Sequence, residues 1–312
     1  MHRIAPLVVS LSFALGSLAC GERRNPPSSE EFGASAGTSS ANGGAASNGD
    51  GGGKGGSIAA GGADNGWGGA ATGTAGNDVR GIAGEGGAGS LGNYVSLLVF
   101  SRTVEYRHDS IPAGVAALTK LASARGWQLS ATEDASTFSD TGLAPYNAVI
   151  FLSTTGNVLD DAQQAAFERF IRSGNGYIGI HSATDTEYDW PWYGGLVGAY
   201  FREHPSIQTA DVLVEDPAHA ATMGLPNPWR HTDEWYAFQS NPRANVRVLL
   251  SLDESSYEPG SAHMNGDHPI AWCHEYDGGR AFYTGLGHTS ESYADPAFMG
   301  QLAGAVVWVL AR

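Results

Sequence analysis

Apolar positions concentrate after residue 93, where their spacing switches between two periods. Residues 94–101 form a near-continuous apolar run with β-branched and aromatic side chains, the pattern of a strand buried on both faces. Residues 146–153 and 177–181 repeat it. Residues 112–126 instead carry Val115, Leu118, Leu121 and Ala122 at helical spacing, with Pro112 at the opening and Gly126 at the stop. Residues 159–173 predict an amphipathic helix through Ala162, Ala166, Phe167, Phe170 and Ile171, ended by Gly174. Residues 127–132 alternate as a strand does, and residues 246–252, 268–273 and 280–286 are further strand segments. A helix over residues 295–310 closes the chain.

Strands alternating with helices predict an α/β fold with a doubly wound, mostly parallel sheet and right-handed crossovers. The second half has closely spaced strands and few helices, so additional strands there are expected to be partly antiparallel. The nearest architecture is flavodoxin-like. Such sheets bind ligands outside the carboxyl ends of the strands, at the switch point. That rule selects three loops: residues 102–110, 154–158 and 181–189.

The remainder of the chain has no such periodicity. A short basic start, Met1 to Arg3, precedes an interrupted apolar run over residues 4–18. This is a signal-peptide core, too short for a comfortable membrane span. It ends in Ser17-Leu18-Ala19-Cys20. A small residue before a lone Cys resembles the bacterial lipoprotein processing box, although Ser17 stands where Leu is usual. Two readings are open: a lipid anchor on Cys20, giving an envelope lipoprotein, or ordinary cleavage, giving a secreted or periplasmic protein. Residues 1–20 are therefore expected to be an export signal. Residues 21–93 contain 24 glycines in 73 residues, with Ser, Ala and Asn filling most of the rest. This composition predicts a disordered linker with an end-to-end distance of about 45–50 Å. Residues 94–312 are expected to form one domain.

Cys20 and Cys273 are the two cysteines, which excludes a disulfide-stapled fold and a thiolate zinc site. Cys273 lies in an apolar strand segment and is expected to be a buried, inert thiol. Net charge is −15. Seven acids and five bases fall before residue 94, so the domain carries 25 acids against 12 bases, or −13. Such a surface repels phosphate backbones, and no basic patch argues for nucleic acid. An acidic surface is compatible with monomer or dimer.

Candidate chemistry lies at the strand ends. Arg107-His108-Asp109-Ser110 follows the first strand, and His181-Ser182-Ala183-Thr184-Asp185 follows the third apolar run. Beyond them come His204-Pro205, His231-Thr232-Asp233-Glu234-Trp235, Asp267-His268-Pro269, His274-Glu275 and Gly287-His288-Thr289. Singly, each His suits a hydrogen-bonded structural role. Together, imidazoles and carboxylates on the ligand side of the sheet suit a zinc-like divalent metal or general acid–base chemistry. The candidate metal ligands are His181, His108, Asp185, Asp233, Glu234 and His288. No compact metal motif such as His-Glu-x-x-His occurs. Ser182 stands where a nucleophile elbow would place its Ser, but the second glycine is missing. A helix N-cap is the alternative role for Ser182. Trp190, Trp192 and Tyr193, with Tyr200 and Phe201 beyond and Trp235-Tyr236 farther on, offer either an aromatic wall for a sugar ring or ordinary packing.

These blocks, in order, resemble the ThuA-like (trehalose utilisation) family: Arg107–Pro112, Gly179–Thr186, Trp190–Tyr193, Asp233–Tyr236, His268–Glu275 and Gly285–Thr289. The likeness spans essentially all of residues 94–312. It implies a class I glutamine amidotransferase-like fold and a link to disaccharide and sugar metabolism. It also implies no glutamine hydrolysis here, because that activity needs a Cys at the elbow and this chain has His181-Ser182. His288 and Glu291 make no triad without it.

The expectation is a sugar-acting enzyme, a hydrolase or a lyase for glycosides or oxidised sugars. His181 would be base or metal ligand. Asp185, or Asp233 with Glu234, would be the carboxylate, and His108, His288 and Ser182 would complete the catalytic group. Arg107, Asp109, Trp190, Trp192, Tyr193, Trp235 and His268 would contact the small-molecule carbohydrate. The alternative is a carbohydrate-binding domain without catalysis, which needs the aromatic wall but not the histidines. A redox-partner or scaffold domain is a third reading, and it has no flavin- or nicotinamide-binding glycine fingerprint after a strand in its favour.

Overall fold

A computed structural model describes residues 94–311. The stretches expected to be an export signal with a lipidation site at Cys20 and a linker, and Arg312, lie outside the described residues. The described chain contains eleven strands and five α-helices. In order these are β1 (Ser96–Phe100), α1 (Ile111–Arg125), β2 (Gln128–Thr132), α2 (Asp140–Leu143), β3 (Ala148–Leu152), α3 (Asp161–Arg172), β4 (Gly176–Ile180), α4 (Pro191–Val197), β5 (Phe201–Glu203), β6 (Gln208–Val214), β7 (Trp229–Asp233), β8 (Ala237–Phe238), β9 (Arg247–Leu252), β10 (His268–Tyr276), β11 (Gly279–Thr284) and α5 (Pro296–Leu310).

Nine strands form one sheet in the order β2-β1-β3-β4-β11-β10-β9-β6-β7. Pairings from β2 through β11 are parallel, and those from β11 to β7 are antiparallel. The parallel half is the doubly wound arrangement that alternating elements predict. β3 and β4 are buried along their whole lengths, as their unbroken apolar runs require. β2 lies at an edge and shows its alternation as partial exposure.

Successive residues of β4 point to opposite faces of the sheet. A side chain at Gly176 would meet Val309 of α5, while Tyr177 packs against Phe167 of α3 and Tyr193 of α4. Helices therefore cover both faces. Capping follows local chemistry: Asp160 and Gln163 form a reciprocal capping box at α3, and Gly126 closes α1 in the left-handed region.

Reversing direction four times from β11 leaves β7 running the same way as the parallel strands. The carboxyl ends of β1, β3, β4, β11 and β7 thus share one edge. Twist accumulated across the sheet brings the end of β7 back to the loop after β11, where the Asp233 carboxylate accepts from Gly287 N–H at 2.8 Å. β5 and β8 form a separate two-stranded ribbon. The sequence pattern does not mark β6 or β7, because both carry outward polar residues, such as Asp211 and Arg230, that pair with one another.

Gly179 sits in β4 just before the main loop of interest. A β-carbon there would lie 2.7 Å from the Tyr177 hydroxyl and 3.1 Å from the Ala183 β-carbon. Gly179→Ala is expected to lower unfolding stability by about 1–3 kcal/mol through overpacking. Chemical denaturation measures this, and an unchanged midpoint would contradict the packing described.

Candidate active site

His181 is the first residue past β4 and opens a 3-10 turn, His181–Thr184. Its φ of 54° lies in the left-handed region, which costs a residue with a β-carbon about 1–2 kcal/mol. Buried hydroxyls hold the turn in place. Tyr283 donates to the His181 carbonyl at 2.8 Å, and Tyr193 donates to the Ala183 carbonyl at 2.7 Å. Ser182 is the second residue of this turn, so it is not a helix N-cap; its hydroxyl lies 3.4 Å from His108 Nδ1.

The fixed turn aims the His181 ring. Its Nδ1 lies 3.0 Å from the Gly285 carbonyl, which only accepts, so Nδ1 carries the proton and Nε2 presents a lone pair. Around that Nε2 stand His288 Nδ1 at 3.1 Å, His108 Nε2 at 3.2 Å and Glu234 Oε2 at 3.5 Å. His288 Nδ1 and Glu234 Oε2 are 3.0 Å apart. One donor atom from each of His108, His181, Glu234 and His288 falls within 4.8 Å of all the others. The four come from the loop after β1, the end of β4, the end of β7 and the loop after β11. Loop 154–158 supplies no member and instead supports the first loop, with Thr155 donating to the Tyr106 carbonyl at 2.8 Å.

Electrostatics follow from this crowding. Burial, reinforced by His181 and His288, pushes His108 down to about 3, which keeps its imidazole neutral. Burial opposes ionisation of Glu234, but its neighbours His181 and His288 outweigh it and hold the carboxyl well below the usual range. Burial likewise acts against a charged His288, yet Glu234 and then Asp233 raise its pKa.

The sequence cannot distinguish Asp233 from a ligand, but the structure places it behind the cluster. Fully buried, it accepts from the N–H groups of Gly287, His288 and Glu234 at 2.8, 3.0 and 2.9 Å and from the Ser292 hydroxyl at 2.9 Å. It clamps the backbone of two ligand-bearing residues, Glu234 and His288. Asp185 also stays outside the four-residue group and lines the cavity above it.

That cavity holds about 310 Å³ and is lined by Tyr106, His108, Asp185, Phe201, His204, Glu234, Tyr236 and His288. Its aromatic wall is Tyr106, Phe201 and Tyr236, rather than the tryptophans. Trp190 is buried and donates to Glu168, Trp192 donates to Asp277, Tyr193 is part of the core, and Trp235 is buried and donates to the Gln208 carbonyl. Their large apolar area is satisfied by packing. His268 is buried, with Nδ1 3.0 Å from Glu254 and Nε2 2.9 Å from the Tyr236 carbonyl. It braces Tyr236 from behind and does not line the cavity. Arg107 is exposed and pairs with Glu133 at 2.6 Å, and Asp109 is exposed beside it. The sequence reading assigns no role to Tyr106, whose position in the loop after β1 was its one available signal. His204 stands out in the sequence without a role; here its Nδ1 lies 3.0 Å from Glu234 Oε1 and its ring stacks on Tyr236. A larger depression of about 500 Å³ lies at the opposite ends of β4 and β11 and has no histidine in its lining.

Asp233→Asn would replace two acceptor oxygens with one acceptor and one donor. It is expected to cost about 1–3 kcal/mol of stability by leaving buried N–H groups without partners. Thermal or chemical unfolding checks this, and an unchanged stability would contradict the clamp.

A family model for ThuA, described as trehalose utilisation, matches residues 96–309. A solved ThuA-like protein from Bacteroides uniformis is 27% identical, with a TM-score of 0.61 over 70% of this chain and 92% of that one. Another, from Parabacteroides merdae, is 18% identical, with a TM-score of 0.59 over 70% and 90% of the two chains, and shows the shared fold. No curated protein matches the chain. The chain belongs to the ThuA family.

Proposed function

We propose that this ThuA-family chain is an exported enzyme that cleaves a C–O bond in a small carbohydrate, by hydrolysis or elimination, with help from a divalent metal. The observation that carries the reading is the convergence of His108, His181, His288 and Glu234 within 4.8 Å. Zinc bonds imidazole nitrogen and carboxylate oxygen at about 2.0–2.2 Å, so tetrahedral donors stand roughly 3.3–3.5 Å apart. The separations from His181 Nε2 and His288 Nδ1 run from 3.0 to 3.5 Å, from slightly tighter than that spacing up to it. His108, His181, His288 and Glu234 would hold the ion, which would supply Lewis-acid polarisation of a substrate oxygen.

The chain's own groups prepare this site. The Gly285 carbonyl fixes the His181 tautomer, a bond of the kind that orients metal-binding imidazoles. Burial keeps His108 in the neutral, ligand-competent form. Tyr106, Phe201 and Tyr236 offer apolar faces suited to a sugar ring. The family description, trehalose utilisation, supports a carbohydrate substrate. Export through residues 1–20, with a lipid anchor on Cys20 or release into the periplasm or medium, would place the reaction outside the cytoplasm. Glutamine hydrolysis is not proposed: the elbow carries His181-Ser182, and Cys273 is buried in β10, where burial pushes its thiol up to about 12.

A carbohydrate-binding domain without catalysis is the second reading, favoured only by the aromatic wall. It leaves the histidine cluster without a role.

The untagged protein is expected to carry about one equivalent of zinc or a similar divalent ion, and chelation should remove metal and turnover together. His181→Ala should fold, lose the metal and lose turnover of glucosides or glucose disaccharides. Full turnover by His181→Ala, or by metal-free wild type, would overturn the reading. Sugar binding with no turnover would favour the second.

A further inference from the structure

His108, Glu234 and His288 line the cavity, and with the buried His181 their donor atoms converge within 4.8 Å. Asp185 stands apart from that group and lines the same space. Its backbone is fixed twice, by its own N–H to the Ser182 carbonyl at 2.8 Å and by Gly156 N–H donating to its carbonyl at 3.0 Å. Tyr188 donates to Oδ1 at 2.6 Å and lies 3.3 Å from the Phe201 carbonyl, while its ring packs on Tyr200. The carboxyl is half-buried, and no ion pair involves it among the described residues; the nearby imidazoles of His181, His204 and His288 pair with Glu234 instead.

We propose that Asp185, on the wall of the cavity shared with His108, Glu234 and His288 and oriented by Tyr188, is the proton donor to the departing oxygen of the substrate. This rests on the C–O cleavage proposed above. Either mode of cleavage expels a sugar oxygen that needs a proton. The cluster is a poor source, because its lone pairs converge. The His204 Nδ1–H is already bonded to Glu234 and the Pro205 carbonyl. Asp185 is the remaining carboxyl on the wall.

In hydrolysis, a water oxygen bonds to the sugar carbon as the carbon–oxygen bond to the departing group breaks. That bond's electron pair stays on the leaving oxygen, which takes the Asp185 proton. The proton lost by the water passes to solvent, and solvent restores Asp185. Tyr188 is a positioning residue.

The protein groups around it, taken without a metal, favour the protonated acid. Burial raises the Asp185 pKa, the Tyr188 hydrogen bond opposes this, Glu105 from the loop after β1 adds to the rise, and His181 and His204 oppose it. Tyr106, His108, Glu234, Tyr236 and His288 complete the groups facing the same space. Activity that needs the protonated form falls as pH rises through this pKa. Removing the Tyr188 hydroxyl takes away a bond to the anion, so the limb should move to higher pH.

The test compares the zinc-loaded full chain with Asp185→Asn and Tyr188→Phe on methyl and 4-nitrophenyl glucosides of both anomers. Asp185→Asn should keep its zinc, lose roughly 10²–10⁴-fold in kcat on the methyl glucoside, and lose far less on the nitrophenyl glucoside, whose leaving group needs no proton. Its alkaline limb should disappear, and that of Tyr188→Phe should shift upward. Equal losses on both leaving groups, loss of zinc from Asp185→Asn, or unmoved limbs would overturn the assignment while leaving the metal site standing. A zinc-loaded wild type that turns over neither probe would overturn the proposed cleavage and this role with it.

Discussion

Three imidazole nitrogens and a carboxylate oxygen are held within one small volume, and lone pairs at such separations repel unless a proton or cation lies among them. That constraint organises the site. His181 has its one proton turned away toward Gly285, so its Nε2 must receive rather than give. His108 is kept neutral by burial and by the other two rings. The negative charge of Glu234 is the one feature of the group that draws positive charge inward, and its surroundings keep it ionised against burial. A divalent ion satisfies all four donors at once; a single shared proton satisfies two.

Holding this arrangement requires rigidity from behind. The left-handed turn at His181 is braced by Tyr283 and Tyr193 from the core, and the Asp233 carboxylate fixes the segments bearing Glu234 and His288. His268 does the same for the cavity wall through the Tyr236 carbonyl. These groups never enter the cavity. They convert a fold that positions strand ends to within a few ångströms into one that positions lone pairs. Preorganisation of this kind is what metal and acid–base sites demand of their supporting shell.

The parallel half of the sheet was readable because strands buried on both faces leave unbroken apolar runs, as in β3 and β4. β6 and β7 left no such trace, since their outward residues are polar. The rule for strand ends selects the loops that carry His108 and His181; Glu234 and His288 come from the ends of β7 and β11, which it did not single out. Residue type could not separate ligands from braces: Asp233 and His268 carry the same chemistry as their neighbours and differ only in which way they face. Of the aromatic residues the sequence offers for a wall, Phe201 and Tyr236 line the cavity, while Trp190 and Trp235 are drawn into the core by their size. The exposed Tyr106, edge-on to His108, completes the wall.

The most direct test of the metal-site account is anomalous scattering from crystals grown with zinc, recorded on either side of its absorption edge. The account predicts one edge-dependent peak about 2.0–2.2 Å from His108 Nε2, His181 Nε2, His288 Nδ1 and Glu234 Oε2. An ordered water or no density at that point, with the four side chains hydrogen-bonded to one another, would contradict it.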